Sequence, residues 1–354
     1  MNELQWLQAK LPLSMGGMGL RGAEDHAAGS HVSSLLSSFT LSRKLQGGED
    51  DGAPIALPQS LLDNLSLHTG EEATVEQVWG LTQKMLSFKI DQHNLDMLKE
   101  QLEAQGDARE VARLASLGLP YAGAWLTTPP IAALGLHLQP SEFTLVSRYR
   151  LGIKVYEQDG PCPACLQFSD SLGDHALCCG HYGERITRHN RIRDHIFSVA
   201  VAAALGPVRE GRFLIPGTDH RPADVFIPSW ADGLDAALDV TVVTPLQDAT
   251  VAQAAANAGH ALQFAFDRKM READDICRQQ GIKFIPIVAE TLGGWDKVAI
   301  TEVKKLMAAK VRHLGGDEDE ETKHTFSKLS ILLMRGNAAI LANRIPSEQI
   351  DEGS

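Results

Sequence analysis

What this sequence lacks narrows its class first. No stretch approaches the run of about 18 uncharged apolar residues that a bilayer span requires. The N-terminus, Met1 to Leu11, has no basic segment followed by an apolar one, so no secretion signal is read there. Cysteine is scarce, with five in 354 residues, and four of those five crowd between Cys162 and Cys179. Such crowding argues for a metal site in a reducing compartment rather than a disulfide framework. The expectation is an intracellular protein with no membrane partner. No Tyr/Phe-x-Asp-Asp polymerase signature occurs, so these residues alone cannot copy a nucleic acid. An excess of positive charge is missing too: 33 Lys and Arg against 45 Asp and Glu leave a net charge of −12. Attraction of the whole surface to nucleic acid is thereby excluded. What is present is an ordinary soluble composition, 44% hydrophobic, in a chain long enough for two or three domains.

Charge is unevenly spread along the chain. From Gly183 to Arg221 seven arginines stand against four acids, with His181, His189, His195 and His220 in or beside that stretch. Asp317 to Glu321, by contrast, is an unbroken acidic run. A local basic face can bind a phosphate backbone while the acidic segment repels it.

Residues 1–45 read as a helical segment: Met15 to Leu20 as a flexible glycine turn, then a helix over 23–38. Glycine, acid and proline mark 46–58 as a linker. Apolar residues at helical spacing, including Val75, Val78, Leu81, Met85, Leu86, Leu95, Leu98, Leu102, Val111 and Leu114, make 59–152 a helical domain. Its last helix is expected over 143–151, with Ser141 as the N-cap and a stop at Gly152.

Residues 153–182 contain Cys162-Pro-Ala-Cys165, nine residues, then His175-Ala-Leu-Cys178-Cys179. A CxxC turn aims two thiolates at one point, and a His with a Cys three or four positions later closes a tetrahedron. The expectation is a structural zinc ion on Cys162, Cys165, His175 and Cys179, with Cys178 as the alternative fourth ligand.

The rest alternates between helix and strand. Ile186, His189, Ile192, Ile196, Val199 and Ala203 predict one long helix over 185–205. Arg188, Arg191 and Asp194 lie off that stripe, on a face that is either solvated or in contact with phosphate. Strands are expected over 208–214, 223–227, 236–243 and 283–288, with helix over 249–280. This is an α/β sandwich. Asp224 and Asp239 sit inside otherwise apolar strands. Either they are edge acids facing solvent, or a divalent ion compensates them, and two carboxylates suit Mg²⁺ or Mn²⁺ better than zinc. A helix over 298–311, an acidic solvated linker over 314–323 and a helix over 325–342 complete the chain. The apolar face of that last helix needs a partner, either the helical N-terminal part or a second chain.

Several motifs together carry a resemblance. They are Cys162-x2-Cys165-x9-His175-x3-Cys179, Arg188-His189-Asn190-x-Ile192-Arg193-Asp194, Arg221-Pro222-Ala223-Asp224, Asp239-Val240-Thr241-Val242 and Glu290-Thr-Leu-Gly-Gly-Trp295. The chain resembles the C-terminal zinc knuckle and restriction-like endonuclease region of site-specific non-LTR retrotransposon proteins. The resemblance is strong from Cys162 to Trp295, and Leu11 to Leu20 resembles the segment just after the polymerase in such proteins. It implies a PD-(D/E)xK core over 183–312, a nuclear location, double-stranded DNA as the partner, with the element's own RNA left open as a second one, and no small-molecule substrate. Asp224 and Asp239 match the family's Mg²⁺-binding acids, which would set a metal-activated water against a phosphodiester. The Lys usual two positions after the second acid is replaced by Thr241. In the family that lysine has moved to the following helix as Lys-x-x-Lys-Tyr; Lys269 matches its first Lys, while Glu272 and Ala273 replace the rest. Lys269 is otherwise an exposed helical lysine. One straight helix would carry it about 30 Å from the strand end, so a break is predicted near Asn257-Ala258-Gly259. Glu210 and Glu290 are further acids able to supply a ligand or support the Lys. Arg185, Arg188, Arg191, Arg193 and Arg221 are the expected phosphate contacts. Cys277 and Trp295 are expected to pack in the core. The leading expectation is a Mg²⁺-dependent endodeoxyribonuclease that nicks one strand. The alternative is a catalytically inactive nucleic-acid-binding remnant or co-opted scaffold.

Overall fold

The computed structural model describes residues 1–45, 55–212, 214–217, 221–231 and 233–346. The chain divides into two compact units, 1–107 and 108–354, so residues 108–152 belong with the second unit and not with a separate helical domain.

The first unit is helical: α1 (Glu3–Lys10), α2 (Ala23–Leu45), α3 (Gln59–Thr69), α4 (Val75–Val78) and α5 (Gln83–Ala104). Helix α2 runs a full seven residues beyond the expected end. The glycine turn after α1 is tight rather than flexible. Gly17 N–H donates to the Pro12 carbonyl at 3.0 Å, and a Cβ on Gly17 would stand 1.9 Å from the Leu11 oxygen. Of the expected linker, 46–54 lies outside the described residues. Ile55 and Leu57 are buried with Val32, Leu62, Leu65 and Ile90, so this end of it belongs to the core. Met85 faces solvent instead of the core.

The second unit opens with α6 (Ala108–Leu117), α7 (Ala124–Thr127) and α8 (Pro140–Arg150). Helix α8 starts earlier than expected because Pro140 takes the first helical position, where its missing N–H costs nothing. Gln139, not Ser141, precedes it as the cap, and the Glu142 carboxylate accepts the Gln139 N–H at 2.8 Å. A small hairpin, β1 (Gly160–Pro161) with β2 (Phe168–Ser169), and α9 (Asp174–Cys178) form the cysteine-rich module. Next come α10 (Glu184–Ala202), β3 (Val208–Arg209), β4 (Val225–Ala231), β5 (Leu234–Val243), α11 (Val251–Ala256), α12 (His260–Arg278) and β6 (Ile282–Glu290). The fold is thus α/β, with a sheet ordered β3-β4-β5-β6 in which β5 and β6 are parallel and the other neighbours antiparallel. Strand β3 is far shorter than expected. At Glu210, whose N–H still donates to the Asp224 carbonyl at 3.0 Å, the backbone turns left-handed, with φ 47°, and the strand ends.

Period-two alternation gives the sheet two apolar faces. Val225, Leu238, Val240, Ile285 and Ile287 pack against Ile192 and Ile196 of α10. On the other face Ala237 and Phe284 meet Ala273 and Cys277 of α12, so Cys277 is a core residue. Trp295 is buried edge-on to Phe326, with ring centroids 5.9 Å apart.

The end of the chain differs most from expectation. After α13 (Lys297–Leu314), the acidic run is not a linker but the first turn of α14 (Glu318–Ala342). Asp317 caps it, accepting the Glu320 N–H at 2.8 Å, and carboxylates at a helix N-terminus are favoured by the dipole. Phe326, Leu329, Leu333, Ala338 and Ile340 are buried in the second unit itself. The helix therefore finds its partners in α8, α10 and α13, and its apolar face needs no second chain.

Candidate active site and metal centre

Two constellations stand close in sequence, one built on thiolates and one on carboxylates. In the first, the β1–β2 hairpin presents Cys162 and Cys165, while α9 carries His175 in its first turn and Cys179 at its C-cap. The four donor atoms all lie within 4.8 Å of one another. Cys162 Sγ is 4.0 Å from Cys179 Sγ, and Cys165 Sγ is 3.2 Å from His175 Nε2. Ligands of a tetrahedral zinc with Zn–S near 2.3 Å stand about 3.8 Å apart, so the set fits a zinc ion. Burial raises the Cys179 thiol's pKa, but hydrogen bonds from His181, Arg344 and Cys165 outweigh it and bring the pKa down to about 6. Cys178 falls outside the group. It is half-buried near Asp174, and its thiol is pushed up to about 11, chiefly by desolvation. The fourth donor of the group is thus Cys179, one helical turn from His175.

The second constellation lies where β4, β5 and α12 meet. Asp224 immediately precedes β4, and Asp239 sits in the middle of β5, paired in register with Pro286. The expected helix break falls at Asn257–Gly259, and Gly259, in a left-handed conformation at φ 82°, starts α12 in a new direction. The turn brings Lys269 Nζ to 3.0 Å from Asp239 Oδ2. Thr241 Oγ1 donates to the same oxygen at 3.2 Å. Burial raises the Asp239 pKa, and the charge of Asp224 adds to the effect against the opposing pull of Lys269. Asp224 Oδ2 accepts the Val240 N–H at 2.7 Å. Glu272 does not enter this cluster. It is exposed and faces Arg268 at 3.8 Å.

His189 is the member that residue-by-residue reading missed. Its Nε2 is 2.9 Å from Asp224 Oδ2, and its Nδ1 is 3.2 Å from Asn190 Oδ1. With an oxygen acceptor at each ring nitrogen, the doubly protonated imidazolium is the form that satisfies both. Burial lowers its pKa, but the hydrogen bond and charge of Asp224 prevail and the net shift is upward. Its sequence signal was the Arg188-His189-Asn190 motif, whose central residue counted only as part of an apolar stripe.

A cleft of about 500 Å³ opens over this cluster, lined by Arg185, Ile186, His189, Glu210, Arg268 and Lys269 among others. The expected arginine face is only partly there. Arg185, Arg191 and Arg221 are exposed. Arg188 is buried: Gly336 leaves room for its stem, its Nη1 donates to Asn337 Oδ1 at 2.7 Å, and desolvation lowers its pKa to about 10. Arg193 is buried as well and is held by Glu210 and Asp194. Ile186, expected in the apolar stripe, faces the cleft. The Glu210 side chain binds Arg193 and lies 3.7 Å from Arg221, so it serves arginines rather than Lys269.

Glu290 stands apart, at the far end of β6 opposite Val243, and is fully buried. Burial raises its pKa to about 7, against the Ser116 hydroxyl. A folded-state pKa above the unfolded one means the native protein holds the proton longer. The resulting stability is complete below about 4.5 and is lost as pH rises through 7. Glu290→Gln should remove that loss, worth on the order of 3 kcal/mol across the interval. Thermal unfolding of both proteins from pH 5 to 8 checks it: the wild-type midpoint falls relative to the variant.

Comparison with protein-family models and with curated protein sequences finds no match.

Proposed function

We propose that the cleft hydrolyses phosphodiester bonds of double-stranded DNA in a divalent-metal-dependent reaction, on a PD-(D/E)xK core of the retrotransposon endonuclease type. One observation carries this reading: Lys269, from a helix that starts afresh at Gly259, stands 3.0 Å from the strand carboxylate of Asp239, whose pKa also feels the charge of Asp224, and a basic cleft opens beside that lysine. Had α11 and α12 formed one straight helix, Lys269 would lie about 30 Å from the strand end and out of reach of Asp239. The order α10, β3, β4, β5, α12, β6 supports the assignment of the core. Asp224 and Asp239 are the residues that would hold Mg²⁺ or Mn²⁺, ions content with one or two carboxylates and otherwise water or phosphate oxygens. When bound, such an ion lowers the pKa of a water and neutralises charge at phosphorus. Lys269, freed from Asp239, would face a phosphate oxygen and hold the attacking water in line. His189 keeps Asp224 in one orientation through Nε2. Arg185 and Arg268 contact flanking phosphates and set the register of the duplex without reading bases.

The test is nicking of supercoiled plasmid in Mg²⁺ or Mn²⁺, wild type beside Asp224→Ala. Relaxation that disappears in the variant supports the two-carboxylate site. An intact plasmid with both proteins, together with salt-dependent DNA binding, would replace this reading with that of a binding remnant.

A further inference from the structure

We propose that the exposed apolar side chains at this end of the cleft, Ile186 and Tyr182 together with Leu166 and Phe168 of the hairpin to which Tyr182 is bonded, stack on unpaired bases, so that the DNA engaged is a duplex with a disrupted step rather than a uniform helix. The inference rests on the DNA reading above and names the substrate form that the same site takes.

The four side chains are among the most exposed large hydrophobics of the chain: Leu166 79%, Phe168 69%, Ile186 64% and Tyr182 62%. None of the other three tyrosines is as exposed. Tyr149 and Tyr156 are buried, and Tyr121 stacks on Phe326 at 3.7 Å. Tyr182 is held out by three constraints. Its hydroxyl donates to the Pro163 carbonyl at 2.7 Å, inside the CxxC turn, and the Arg344 guanidinium lies 4.8 Å from its ring centroid. Its backbone is left-handed at φ 65°, and so is that of Leu166 at φ 62°. Both are conformations that cost energy for residues bearing a Cβ and that persist where the surroundings enforce them. An aromatic ring fixed in this way loses little entropy on stacking.

Position and charge select the occupant. Ile186, in the first turn of α10, lines the cleft with Arg185 and Lys269, and Tyr182 stands four residues before it, just ahead of the helix. These side chains therefore continue a surface whose cations suit a polyanion. A nucleic acid strand offers both parts at once, phosphates for the cations and π faces for the apolar side chains. In an intact duplex the bases are already stacked on one another. Apolar side chains gain contact only where a step is open, which is how protein wedges kink DNA.

The experiment measures binding of the full chain by fluorescence anisotropy in Ca²⁺, without Mg²⁺ or Mn²⁺, using a fully paired duplex and the same duplex carrying a small bulge. Wild type should bind the bulged duplex about tenfold more tightly, the scale of one base stacked on an aromatic side chain. The preference should vanish in Tyr182→Ala/Ile186→Ala and weaken in Phe168→Ala, whose side chain supports no core. It should survive in Tyr182→Phe, which loses the hydroxyl anchor and keeps the ring. Equal binding of the two duplexes by wild type, or a preference that persists in the double variant, overturns the inference and leaves the nuclease reading standing. No binding to either duplex overturns both.

Discussion

Removing zinc, by a strong chelator or by Cys162→Ser, is expected to unfold the module between Gly160 and Cys179 and to loosen the cleft with it. The module has almost no core of its own: a two-residue hairpin and a single turn of helix, with Ala176 and Leu177 as buried anchors. Structural zinc in such a setting contributes about 10–16 kcal/mol of apparent binding energy, all of it available to folding. Without the ion, thiolates packed within 4.8 Å repel one another or take up protons, and neither state holds the hairpin to α9. The cleft is loosened too because Arg185, which lines it, donates to the Cys178 carbonyl at 2.6 Å. Metal analysis of the purified protein should give one zinc per chain. Amide exchange should then show 160–179 losing protection on chelation while α13 keeps its own. Full protection after chelation would mean that the module stands without metal. Cys178→Ser should leave zinc content unchanged.

Lys269→Met is expected to lower nicking by about 100- to 1,000-fold, the usual cost of losing one donor aimed at a developing negative charge. The substitution keeps a flexible side chain of similar length on α12 and removes only the ammonium. It also takes away the one cation at 3.0 Å from Asp239, leaving burial and the charge of Asp224 to raise that carboxyl further. A metal site that must release this proton should then need higher pH. The expected signature is a rate profile displaced to alkaline pH, together with a lower plateau. An unchanged rate and profile would reduce Lys269 to a partner of Asp239. Lys269→Arg restores the charge on a longer, planar head and should recover part of the activity at most, because a guanidinium cannot place its charge where the ammonium stands, 3.0 Å from Asp239.

How much of this was legible in the sequence depends on how far each feature's cause lies along the chain. The thiolate set was legible because its geometry is local: a CxxC turn and one helical turn generate it. Only the choice between Cys178 and Cys179 needed the helix to be seen, since three and four residues beyond His175 point in different directions. The approach of Lys269 to Asp239 was readable through the resemblance, and the break near Asn257 from helix length together with the need to bring that lysine back to the acids. The fate of the arginines was not readable. Arg188 is buried only because Gly336, 148 positions later, leaves space for its stem and Asn337 offers an acceptor. The role of His189 likewise depends on Asp224, a partner 35 residues away. The acidic run misled for the opposite reason. Five acids in a row read as a solvated linker until their place at a helix N-terminus turns the same charges into a favourable first turn.

Helix α14 sits at the centre of the second unit, packed on α8 and α10 and tied by its Leu341 carbonyl to the Tyr156 hydroxyl at 2.9 Å. Ribosomes deliver that helix last among the elements of this unit. The polypeptide must therefore hold the zinc hairpin, the sheet and the cleft in an unfinished state until residues 318–342 emerge, with apolar surface open to chaperones in the meantime. A stop codon just ahead of Glu318 would spare every residue of both constellations and still yield no working protein.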